Sequence, residues 1–156
     1  MGTAGLKVRT AFSYRDDRAV PPFDDASPIV FMDGLCALCT RMARLICKFD
    51  RDGVFKISPT GSDLGRAILA HYGLNSDDPA SWLYLEAGNA YGSMDAVIRI
   101  GRRLGGCARS LELLGLLPAR WQVWLYQSLA DNRYRLFGRD DMCAVPDAEL
   151  QRRLLK

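Results

Sequence analysis

The hydrophobic pattern of this chain changes period between residues 29 and 49, and that change constrains the fold more than any other feature. Ile29-Val30-Phe31-Met32 is a continuous apolar run, the signature of a strand covered on both faces, and Ser27-Pro28 punctuates its start. From Cys36 onward the period becomes helical. Leu38, Met42, Leu45, Ile46 and Phe49 fall at i, i+4, i+7, i+8 and i+11, which predicts one apolar stripe of a helix. Asp50 to Gly53 ends it, and Val54 to Ile57 reads as a second strand. A buried strand followed at once by a helix and another strand is the core of an α/β domain.

The alternation continues. Leu64, Ile68, Leu69 and Tyr72 predict a second helix closed by Gly73. After the polar loop NSDDP, Trp82 to Leu85 reads as a third strand, and Ala87-Gly88-Asn89 turns it into a fourth around Ala90-Tyr91. Val97, Ile100, Gly101 and Leu104 give a further helix, and Pro118 is placed to open another with Trp121, Trp124, Leu125 and Leu129 on its core side. The order β-α-β-α-β-β-α predicts a small mixed sheet flanked by helices. Residues 1–27 read as a polar lead-in draped over a single domain at 28–156, whose helical extension starts at about 108.

Composition excludes several classes. With 156 residues, 49% of them apolar, one core can fold without staples. A net charge of +3 with 25% charged residues calls for no nucleic-acid partner, and the late arginines are spaced as solvated helix faces. No apolar run approaches the ~18 residues of a spanning helix, and the first residues lack the apolar segment of a secretory leader, so a cytoplasmic location is expected. Five cysteines, an odd number, argue against a disulfide framework. The chain shows no phosphate-binding loop, dinucleotide glycine fingerprint or Ser/His/Asp constellation.

The chemistry therefore concentrates in DGLCALCTRM, Asp33 to Met42, at the junction of the first strand and first helix. Unsatisfied N–H groups and the macrodipole at a helix start favour an anion, so Cys36 is expected to ionise easily and to stand exposed as a nucleophile. Cys39, one turn on, is placed to resolve a mixed disulfide on Cys36. In this strand-turn-helix setting Cys-x-x-Cys reads as a thioredoxin-like redox pair that needs neither metal nor organic cofactor. Two other readings stay open: a structural dithiol in an interaction or zinc-binding module, and a peroxide-responsive thiol. Zinc would draw on Cys107, Cys143 and the lone His71, none of which forms a second close pair. Asp33 has two readings: it holds the turn or caps the helix, or it moves a proton during exchange.

VFMDGLCALCTRM and the later NRYRLFGRDDMCAVP, together with FSYRDDRAVPPF and YGSMDAVIRIGRRLGG, resemble the thiol-disulfide oxidoreductase DCC family, named for an aspartate and two cysteines in Asp-Gly-x-Cys-x-x-Cys. The resemblance spans nearly the whole chain. It implies a thioredoxin-like fold and an oxidoreductase activity carried by Cys36 and Cys39, with Asp33 as the family's aspartate. The implied partner is a disulfide- or thiol-bearing protein or a small thiol. Pro79 is the nearest candidate for the cis-proline of thioredoxin-like proteins, and reads instead as an ordinary loop proline. Cys47 reads as core and Cys143 as a packed thiol, with a third redox role as its alternative. His71 is expected to make a local hydrogen bond, and Arg133, Tyr134 and Arg135 to form a solvated helix end.

Overall fold

The computed structural model describes residues 5–77 and 82–155; Pro79 lies outside them. Strands β1 (Ile29–Met32), β2 (Lys56–Pro59), β3 (Leu83–Glu86) and β4 (Asn89–Gly92) form one sheet in the order β2-β1-β3-β4. Val30 stands opposite Ile57 in the parallel β1–β2 pair and opposite Tyr84 in the antiparallel β1–β3 pair. All four β1 residues are fully buried, because the strand has neighbours on both edges and helices over both faces. Helix α1 (Ala37–Phe49) makes the crossover that a parallel pair requires. Ala87 and Gly88, both at positive φ, make the tight turn between β3 and β4. This mixed α/β sheet with flanking helices is consistent with a thioredoxin-like fold.

β2 starts two residues later than the apolar run Val54 to Ile57 suggests. The Asp50 carboxylate at the end of α1 accepts the Phe55 N–H at 2.8 Å, which holds residues 54 and 55 out of the ladder. The stripe on α1 is also rotated from the expected one. Ala37, Cys39, Thr40, Ala43, Ile46 and Cys47 are buried, whereas Leu45 is exposed and Leu38 and Met42 are half-buried. Small side chains let the helix sit close to the sheet, and the larger ones turn toward the C-terminal helix.

Alternate residues of β1 feed two cores. Val30 and Met32 join the α1 side, while Ile29 and Phe31 join the side of α2 (Asp63–His71). Tyr14 is buried in that second core, so the lead-in contributes to it as well as covering it. His71 takes its hydrogen bonds from the lead-in, at 2.7 Å to Asp17 and 2.9 Å to Ser13 Oγ, rather than from its own helix.

The C-terminal third holds α3 (Ser93–Leu104), a 3-10 segment (Gly106–Leu116), α4 (Ala119–Phe137) and α5 (Ala148–Arg153). A side chain at Gly101 would meet the Ala108 carbonyl at 2.6 Å, so glycine allows α3 and the 3-10 segment their close approach. Trp121, Trp124, Leu125 and Leu129 are exposed, contrary to the expected core side; the buried residues of α4 are Ala130 and Arg133. Both buried side chains of α4 lie in its second half, while Leu125 of its first half lines a groove and Trp121 and Trp124 are exposed. After α5, Leu155 N–H donates to the Ile57 carbonyl at 2.8 Å and closes the outer edge of β2. Among the described residues no helix is long and apolar enough to cross a membrane.

Candidate dithiol site

Asp33 leaves the end of β1 and turns the chain into α1. Its Oδ1 accepts the Leu35 N–H at 2.8 Å, the local turn role expected of a short carboxylate. At Gly34 a side chain would come 3.1 Å from Pro59 Cβ, so the glycine lets this turn lie against the end of β2. Cys36, at φ −99° and ψ 120°, is the N-cap of α1, and its Sγ accepts the Cys39 N–H at 3.5 Å. A sulfur thus occupies the place usually taken by a Ser or Asp oxygen, facing the unpaired donors of the first turn.

The turn receives two side chains from α4, a hundred residues downstream. Arg133 and Tyr134 both donate to Asp33 Oδ2, and the Arg133 guanidinium lies 4.8 Å from the centre of the Tyr134 ring. Arg133 is 5% exposed, which corrects the solvated helix end expected of it. The second half of α4 lies against α1, so its inward positions face the dithiol. The sequence carries one faint signal, since Arg133 falls three residues after Ala130 and four before Phe137, on the stripe α4 turns inward.

Residues 138–142 then close over the site. The Gly138 carbonyl accepts from Ala37 N–H at 3.3 Å, Asp140 N–H donates to the Leu35 carbonyl at 3.1 Å, and Met142 N–H donates to the Gly34 carbonyl at 2.8 Å. Cys36 forms an isolated antiparallel bridge with Arg139 and is 0% exposed, where the sequence predicts an exposed nucleophile. The cover comes from a segment without hydrophobic periodicity, paired through its backbone.

The two sulfurs differ in acidity. Hydrogen bonding from the Cys39 thiol, the Cys39 N–H and the charge of Arg133 outweigh burial and lower the Cys36 thiol to about 6. Cys39 is raised, because a thiolate at Cys36 and burial both hold its proton in place. Arg133 thus favours the thiolate, and its contact with Asp33 offsets the carboxylate charge nearby. The arrangement supplies a stabilised thiolate with a protonated thiol one helical turn away.

The other sequence candidates lie apart from this pair. Cys47 is buried near the far end of α1, with its thiol raised to about 11 chiefly by burial. His71 belongs to the α2 side of the sheet, and Cys107 is exposed at the 3-10 segment. Cys143 is exposed, which corrects the packed thiol expected of it, on a cleft of about 720 Å³ that it lines together with Asp33, Gly34 and Tyr134. Among the described residues no group of three His, Cys, Asp or Glu side chains could hold a metal ion.

The sequence profile of the DCC1-like thiol-disulfide oxidoreductases matches residues 30–139. The uncharacterized protein YuxK of Bacillus subtilis is 31% identical over 127 residues, covering 81% of this chain and 93% of the relative. A chloroplastic DCC family protein of Arabidopsis thaliana is 30% identical over 123 residues, covering 78% of this chain and 72% of the relative. No solved structure matches the chain significantly.

Proposed function

The chain belongs to the DCC1-like thiol-disulfide oxidoreductase family, and on that premise we propose that it exchanges disulfides through Cys36 as nucleophile and Cys39 as resolver. The observation that supports this reading is the inequality of the two thiols. The Cys36 sulfur caps α1 and accepts the Cys39 N–H, the charge of the buried Arg133 favours its thiolate, and Cys39 keeps its proton.

In the reducing direction the Cys36 thiolate displaces one sulfur of a substrate disulfide, and the departing thiolate takes the Cys39 proton. Cys39 then attacks Cys36 Sγ, frees the second substrate sulfur and leaves the protein disulfide-bonded and oxidised by two electrons. Asp33 acts in this scheme as a positioning residue, holding Arg133 and the Leu35 turn through its two oxygens. The partners are disulfide- or thiol-bearing proteins or small thiols, and the compartment we propose is the cytoplasm.

Equilibrating the protein in glutathione redox buffers, alkylating it and reading the intact mass tests the reading. A reversible two-electron loss confined to Cys36 and Cys39 is expected. A dithiol that stays reduced across the whole range overturns it, as does a purified protein carrying one zinc per chain.

A further inference from the structure

Cys39 forms part of the floor of a groove of about 250 Å³ between α1 and α4. Leu38 and Met42 line it from α1, Leu125 and Leu129 from α4, and Trp82 from the start of β3. Among the described residues Arg133 is the one charged member of the lining, and Asp33 already holds it. The groove follows α4 from Leu125 to Arg133, about 12 Å at 1.5 Å per residue, the span of roughly three to four extended residues. Its outer end runs into exposed apolar surface, with Leu125 39% and Leu129 41% exposed.

We propose that this groove selects the substrate by taking an extended, uncharged, apolar polypeptide segment next to the reacting cystine. This deepens the exchange reading and rests on it. The charge pattern supports the occupant: glutathione disulfide brings carboxylates, and among the described residues the groove's one cation, Arg133, is already paired with Asp33. The length supports it too, since a run of three or four residues spans the groove from Leu125 to the end where Cys39 and Arg133 lie. Cys36 lies beneath residues 138–142, so a substrate must shift that strap to react. Contacts along the groove supply the binding energy for that shift, and a small hydrophilic disulfide has none to supply.

The electron balance is that of the exchange step. The reduced dithiol gives two electrons to the cystine, the first substrate sulfur leaves with the Cys39 proton, and the second takes a proton from water. A single turnover therefore needs no further reductant.

The experiment follows single-turnover oxidation of the fully reduced, full-length protein by three disulfides. Two are peptides identical except that the cystine is flanked by Leu and Phe or by Ser and Asp; the third is glutathione disulfide. The apolar peptide is expected to react about tenfold faster or more, the discrimination that one or two apolar contacts provide. Leu129→Asp and Leu125→Asp, each checked for native circular dichroism, are expected to bring the ratio of the two peptides close to one. Equal rates in the wild-type protein, or a preference that survives both substitutions, overturn the groove. Equally fast oxidation by dibutyl disulfide, run as a fourth oxidant, assigns it to small apolar molecules and overturns the polypeptide occupant. A rate that falls as protein concentration rises, with elution as a dimer, assigns it to a second copy and overturns it likewise. Failure of all three disulfides to oxidise the dithiol overturns the exchange reading itself.

Discussion

The two ends of α1 are built alike and behave oppositely. At the start, Asp33 is paired with the buried Arg133 beside Cys36; at the end, Asp50 is paired with the buried Arg153 beside Cys47. Both arginines come from the C-terminal third of the chain. Yet the Cys36 thiol is lowered to about 6 and the Cys47 thiol is raised to about 11. Arg153 opposes the rise at Cys47, and burial outweighs it. An arginine nearby is therefore not enough to make a thiolate. At the helix start the sulfur accepts donors from Cys39 and the first turn, whereas a helix end presents carbonyls, and Arg153 is shared between Asp50 and Glu149. The same ion-pair device accompanies a lowered thiol at one end and a raised one at the other.

The sharpest break between the ends is removal of each thiol. Cys36→Ser is expected to drop single-turnover exchange with a peptide disulfide to the uncatalysed background, and Cys47→Ser to keep the wild-type rate. Removal of each arginine comes next. Arg153→Met leaves Asp50 buried without its cation and should cost about 3–5 kcal/mol in denaturant unfolding, with the pH profile of Cys36 unmoved. Arg133→Met should cost less, because Asp33 is more exposed than Asp50, but should move the Cys36 alkylation midpoint upward.

The pH profile itself separates the two thiols. Cys36 alkylation should rise as the thiolate forms, with a midpoint of about 6, and level off above it, while Cys47 in the folded protein stays protonated until the pH nears 11. Because the folded value of Cys36 lies below an unfolded value of about 8.5, the unfolded chain binds the proton more tightly. Stability of the reduced protein should therefore climb from pH 6 toward 8.5, fall as pH drops through 6, and show no such slope from this pair once Cys36 and Cys39 are joined. Smaller effects follow from the cover and the turn. Asp140→Pro removes the donor to the Leu35 carbonyl, about 1 kcal/mol, so alkylation of Cys36 on the plateau should quicken roughly fivefold. Asp33→Asn keeps an oxygen for Leu35 N–H but removes the charge facing Arg133, and should lower the Cys36 midpoint slightly; an unchanged midpoint leaves Asp33 with the turn alone.

What the sequence made legible was local. The buried strand, the turn at Asp33-Gly34 and the helix opening at Cys36 follow from period and capping over a dozen residues, so Asp33, Cys36 and Cys39 could be placed together. Arg133 could not, because its burial depends on α4 lying against the first turns of α1. The cover on Cys36 was equally hidden, since residues 138–142 pair through backbone groups that every residue carries. Trp121 and Trp124 misled for a related reason. An apolar helix side reads as core wherever it falls, and these two sit on the half of α4 that buries no side chain. The shift of β2 came from one side chain, Asp50, outbidding the ladder for the Phe55 N–H.

Asp33 and Arg133 touch across 100 residues of chain, and this sets a clock on the chemistry. At synthesis rates of about 5–20 residues per second, roughly 5–20 s pass between the appearance of the dithiol and that of its arginine. Through that interval the nascent chain carries cysteines with neither the guanidinium nor the strap of residues 138–142 in place. On the proposed reading, Cys36 gains its tuned acidity only once Arg133 and residues 138–142 have been made, so shorter nascent chains hold an untuned thiol pair.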